Sequence, residues 1–376
     1  MPHTLALTLL TGKPYTGQRP LRLTPAAHLV AAGGSVLSGV ALSGTAVTLA
    51  GWWLTLLVPG WAMTLHGARN LRMMIYHQCA HRNMCGRHRL DAALGKVIAA
   101  LLMVQHFARY TVEHVADHHA VHHMTLRDPT VQAFLVGLRL RPGMTRRHMW
   151  RTVISRLASP VFHARFLWAR MRSYAASGSW RERFAVGGAY LIVATAAIWS
   201  DRWLLLLVAW VLPMTLFFQI SNTLRLCVKH TFPTRDVTER RSRAYFASLT
   251  NAVFLGEPAP GSQLRGARRL RAWARWWLRM FTVHFPSRYL VLTGDTVCHD
   301  FHHRHPMSRD WANYIFARQA DIGSGHRGWP AYRAVWGLIP AINVVFDSLA
   351  AADPAEYDPT ELTDIRGREL FAAFDD

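Results

Sequence analysis

Acidic residues are scarce: 22 Asp and Glu stand against 43 Lys and Arg in 376 residues, a formal net charge of +21. Cysteine is scarcer still. Cys79, Cys85, Cys227 and Cys298 form no CxxC pair, so neither a disulfide framework nor a cysteine zinc site is implied. No glycine-rich dinucleotide fingerprint, haem-attachment motif or iron–sulfur cysteine quartet is present. Residues 1–20 show no signal-peptide apolar core, so the first internal apolar run is expected to direct insertion.

What is abundant is apolar sequence, in long runs kept apart from the arginines. Residues 26–61 carry almost no charge, and with the stretch to His66 they suffice for two spans, each needing roughly 20 apolar residues. A second pair of runs, Phe184–Trp199 and Trp203–Ile220, is separated by Ser200, Asp201 and Arg202. The pattern predicts an all-α membrane protein with four transmembrane helices, spanning about 29–48, 51–68, 184–199 and 203–220. Two buried helix pairs of a large soluble domain are the alternative.

Arginine-rich segments at the ends of the hairpins place those ends on the positive, cytosolic side, with both termini and a helical cap. Residues 1–25 read as a cytosolic segment, 26–306 as the membrane domain, and 307–376 as a cytosolic C-terminal segment whose acidic end forms a solvated cap. Residues 92–107, apolar but short and containing Lys96, read as a buried or re-entrant helix. Leu264–Met280 alternates arginine with Leu, Ala and Trp, as a basic helix lying on a membrane surface would. Nucleic-acid binding would also suit the charge, but no binding motif accompanies it, so none is expected.

Histidine is the other excess, 21 in all, concentrated in three clusters. These are His77 with His81; His114, His118, His119, His122 and His123; and His299, His302, His303 and His305. Residues three and four apart share a helix face, so each cluster aims two or three imidazoles at one point. Neutral imidazole binds iron, zinc or copper. A closed structural or transport zinc site is the alternative to a catalytic centre.

The spacings H-x3-H, H-x2-H-H and a distal H-x2-H-H resemble the three histidine boxes of the membrane fatty-acid desaturase superfamily, as do Asp128-Pro129 after the second box and the placement of boxes after each hairpin. The resemblance runs from about Leu29 to Pro306. It implies two iron ions, O2 as co-substrate, and metal ligands at His77, His81, His119, His122, His123, His299, His302 and His303. It adds a ligand before box three, for which His230 is the candidate, although Lys229 stands where the family often has an acid.

A second register of box two, Glu113-His114-x3-His118-His119, resembles the alkane hydroxylase branch. On an α-helix His119, His122 and His123 subtend about 100°, while His114, His118 and His119 need about 140°. The narrower arc and the Asp-Pro spacing favour the first register, leaving His114 and His118 beside the metal ligands. Asp117 or Asp300 would hold an imidazole N–H.

By the resemblance, the activity is O2-dependent desaturation of a fatty acyl chain on a lipid, coenzyme A or a carrier protein, or hydroxylation of an alkyl, sphingoid or carotenoid substrate. With no redox group of its own, the chain requires an external ferredoxin- or cytochrome-type donor, which the arginine-rich face would steer if it is acidic.

Overall fold

The computed structural model describes residues 4–235 and 242–362, and it is mainly helical. A short helix, α1 (Leu5–Thr11), capped by the Thr4 hydroxyl, precedes the long apolar helix α2 (Pro25–Leu49), where Pro25 opens the first turn and Thr24 accepts from the Ala27 N–H. Ala50 and Gly51, both at positive φ, reverse the chain into a 3-10 stretch, Gly51–Leu56, and then α3 (Leu57–Asn70). The two helices touch backbone to backbone. A Cβ on Gly39 would lie 2.4 Å from the Thr64 nitrogen, and one on Gly67 would lie 2.5 Å from the Ala32 carbonyl oxygen. Small residues close this antiparallel seam, as in membrane helix pairs, whereas Gly33 and Gly34 face open space.

Helical conformation continues past α3 through a π segment, Leu71–Tyr76, into His77–Ala80, which carries the first box. Next comes α4 (His88–Leu102). It ends at Met103 with φ 48°, and the chain resumes as Phe107–Val115 after a 115° bend. The stretch read as a buried or re-entrant helix is a helix pair bent at this break, which fits a broken span or a re-entrant loop. Its bare terminal carbonyls find a partner in the buried Arg170, which donates to the Leu102, Met103 and Met214 carbonyls.

Two basic helices follow box two, α5 (Arg146–Leu157) and α6 (Pro160–Ser177), the latter supplying Arg170. A capping box of Ser179 and Glu182 starts α7 (Trp180–Trp199), and Lys96 on α4 pairs with the same Glu182 at 2.9 Å. No residue of α7 is buried, and Leu191, Ile192, Ile198 and Trp199 point outward. The next helix, α8 (Trp203–Lys229), runs 27 residues through Pro213, with two π segments absorbing the proline. Both α2 and α8 are long and apolar enough to cross a membrane, and the bent pair would make a third span if it counts as one.

Beyond α8 the chain forms a short strand β1 (Ala252–Phe254), the exposed basic helix α9 (Gly266–Arg279), and α10 (His299–Arg304) with the third box. Then come α11 (Tyr314–Gly323), β2 (Ala334–Trp336) and α12 (Leu338–Ala351). The strands pair in parallel, Ala252 opposite Ala334, a small addition to the all-α expectation. The part of the C-terminal segment before its acidic end packs on the helical body. Along α12, Ala341, Ile342, Val345 and Phe346 are buried where the helix packs on α8, and the buried Tyr357 donates its hydroxyl to the Met124 carbonyl beneath box two. Residues 363–376 of the expected acidic cap lie outside the described residues.

Candidate metal centre

Ten histidines meet at one end of the helical hairpins. His77, His81, His114, His119 and His302 form one group whose ligand atoms all lie within 4.8 Å of one another. Beside it are the triads His118–His123–His303 and His230–His299–His303, sharing His303. The two halves adjoin, with the rings of His119 and His303 stacked at 4.4 Å.

Each element aims its imidazoles for a local reason. His77 and His81 stand one turn apart, and the Met73 carbonyl, 3.2 Å from His77 Nδ1, accepts that N–H and leaves Nε2 facing inward. The helical run of box two, Val112–Val121, is π rather than α. With i→i+5 closure, one turn takes roughly 4.4 residues, so positions four and five apart share a face. His114, His118 and His119 have that spacing, and His123 lies five beyond His118.

Two expectations change here. His114 and His118, read as neighbours of the ligands, sit inside the groups. His122, read as a ligand, belongs to neither; it is half-buried, its carbonyl closing a turn with Thr125. His230, at the end of α8, comes within 3.4 Å of His299, Nε2 to Nε2.

Carboxylates also differ from expectation. Asp300 does not hold an imidazole: fully buried, it makes a bidentate pair with Arg318 of α11, at 2.8 and 3.0 Å, and accepts from the Phe301 N–H. The side chain of Asp117 lies outside the described residues. The acid that does orient an imidazole is Asp128. Its buried carboxylate accepts from His118 Nδ1 at 3.0 Å, from the Met124 N–H at 2.7 Å and from the Thr130 N–H at 2.8 Å. It also stands 3.9 Å from His123 Nδ1. Asp128-Pro129 was visible in the sequence as a motif, but its role required the fold.

The donor set suits metal ions better than it suits protons. Nε2 atoms face each other at 2.8 Å (His77–His114), 3.0 Å (His114–His119), 3.0 Å (His119–His302) and 3.1 Å (His299–His303). Neutral imidazoles each carry one proton, so such a chain of facing nitrogens cannot all be satisfied by hydrogen bonds. An ion about 2.0–2.1 Å from each nitrogen places two ligands roughly 3.0–3.4 Å apart. Among the described residues, neither nitrogen of the buried His81 has a hydrogen-bond partner. Burial, reinforced by neighbouring charge, pushes these imidazoles down, His81 to about 4 and His123 to about 3. They are therefore held in the neutral, ligating form.

The fatty acid desaturase family model matches residues 49–286. The chain belongs to that family. No curated protein matches it. The matched stretch of this desaturase-family chain begins at the last residue of α2, holds α3, the second hairpin, the first two boxes and His230, and ends before box three. The third box is therefore tied to the centre by its geometry.

Because Asp128 fixes the tautomer of His118, Asp128→Asn is expected to lower metal occupancy and turnover about 10–100-fold, the usual cost of losing a carboxylate behind a ligating histidine. Metal analysis of the purified variant checks this, with its unfolding temperature as the control for a merely structural effect.

Proposed function

We propose that this chain is an O2-dependent membrane oxidoreductase that desaturates a fatty acyl chain with two iron ions. One iron would be held by His77, His81, His114, His119 and His302, the other by His118, His123, His230, His299 and His303. The observation carrying this reading is the convergence of ten neutral imidazoles from segments up to 226 residues apart, His77 to His303, in a chain of the desaturase family.

Bound iron would supply the oxidant needed to take hydrogen from an unactivated methylene, chemistry that no side chain provides. The protein's part is to hold the ligands neutral, set their tautomers through Asp128 and Met73, and seal the centre beneath a buried shell. Electrons would come from a separate ferredoxin- or cytochrome-type donor. The apolar, unburied α7 supports the four-span arrangement of about 29–48, 51–68, 184–199 and 203–220, with the boxes and both termini cytosolic.

Hydroxylation is a second reading, and one observation favours it. The inward register Glu113-His114-x3-His118-His119 is the one that resembles the alkane hydroxylase branch. Expression with iron, oxygen and a generic reductase system, followed by mass spectrometry of host lipids, separates the two. Desaturation gives products two mass units lighter, and hydroxylation gives products heavier by one oxygen. Zinc in place of iron in purified, active protein would contradict both.

A further inference from the structure

Along helix α9 only Trp276 is buried, its indole N–H held by the Glu257 carbonyl at 3.0 Å. At 100° per residue its side chains divide into two opposed arcs. Arg265, Arg268, Arg269, Arg271, Arg275 and Arg279 occupy about 160°, an arc whose edge also holds the buried Trp276, and Leu270, Trp273, Ala274, Trp277, Leu278 and the following Phe281 occupy about 140°. Leu270 is 72% exposed, and Leu278 and Phe281 are each 62% exposed. Arg279 pairs with Glu257, but among the described residues Arg268, Arg269, Arg271 and Arg275 make no ion pair. Such a helix calls for an apolar medium on one side and anions on the other.

The apolar arc also borders a cleft of about 600 Å³, within the usual range of roughly 300–1,000 Å³ for a small-molecule site. Trp277 and Phe281 form one bank, and Leu7 and Leu10 of α1 form the other. The floor is Met74, Ile75 and Gly294, which precede His77 and His299 by a few residues. Gly294 is required there: its φ is 59°, and a Cβ would fall 2.3 Å from the Met74 side chain. The cleft lies at the hairpin end where α2 begins and α3 finishes, so Ala31 and His66 also line it.

We propose that this cleft takes the acyl chain of a bilayer lipid bearing an anionic head group, and that the arginine face of α9 holds the head group. This names the substrate class for the reading above and rests on it. A bilayer source follows from α9 itself, whose outward Leu270 and Leu278 require lipid whether or not the cleft is filled. The arginines add charge complementarity, and the first hairpin brings the membrane surface to the mouth of the cleft.

The test is photolabelling, which is scored without turnover and so succeeds or fails independently of the desaturase reading. The full chain is placed in phosphatidylcholine nanodiscs doped with phosphatidylglycerol or phosphatidylcholine carrying a diazirine in the acyl chain. After illumination the labelled residues are mapped. The phosphatidylglycerol probe is expected to mark Met74, Ile75, Phe281 and Phe285, and the phosphatidylcholine probe to mark them far less. Replacing Arg268, Arg269, Arg271 and Arg275 together by glutamine lowers that labelling roughly tenfold. Filling the cleft by Ala31→Trp, at an exposed position, removes it. Both variants keep the metal content of the unaltered chain. Labelling spread over the outer face of α7, or equal for the two head groups, overturns the proposal. So does labelling of the same walls by a diazirine acyl-CoA in detergent without any bilayer.

Discussion

Alanine at His114 or His118 is expected to strip metal from the protein and to cut turnover by more than about 100-fold, beyond the 10–100-fold cost of losing a residue behind a ligand. Alanine at His122 leaves both nearly unchanged. The contrast follows from a π-helix. His114 Nε2 sits between those of His77 and His119, at 2.8 and 3.0 Å, and His118 bridges Asp128 and the second group, whereas His122 enters neither. Metal per chain and product formation, measured on the three single variants, decide it. A His122→Ala protein without metal, beside a fully loaded His114→Ala protein, would restore the α-helical register.

The second large effect is expected away from the metals. Arg318→Met leaves Asp300 buried without its bidentate partner, in the middle of box three. Breaking a buried pair from one side costs about 3–5 kcal/mol, because an uncompensated charge remains. Asp300→Asn combined with Arg318→Met removes that charge and should recover much of the loss. Thermal unfolding of the single and double variants gives the comparison, and an unchanged melting temperature for Arg318→Met would refute the assigned role. Arg318 also has its guanidinium carbon 4.5 Å from the Tyr332 ring centre, so part of the cost is packing.

Much of the centre was readable in the sequence, because metal chemistry leaves histidines at helical spacing. His77, His81, His299, His302 and His303 stand at that spacing, and the resemblance to the desaturase superfamily implied them as ligands. His230 came from the family pattern despite Lys229 before it, and the fold places it beside His299. The different register at box two has a physical cause: side-chain arcs were drawn for 3.6 residues per turn, and the wider π turn brings His114 and His118 into the groups and leaves His122 outside them. The four-five spacing of His114, His118 and His119 was itself the signal for the wider turn.

Asp300 and Asp128 exchanged roles for a different reason. A carboxylate's partner is fixed by tertiary contacts, here a residue of α11 in one case and a loop wrapped around the acid in the other. The three-residue strands are too short to leave a periodic pattern, so their pairing was invisible before the fold.

That pairing links the candidate centre to residues that follow box three. Box three is braced by Arg318 and by β2, which lies opposite β1, while α12 packs along α8 just before His230. Arg318, β2 and α12 all follow box three in the chain. A nascent polypeptide that has only reached His303 would already expose every imidazole without the scaffold that gathers them. Truncation before α12 is therefore expected to lower the metal bound per chain, because the packing against α8 beside His230 is lost.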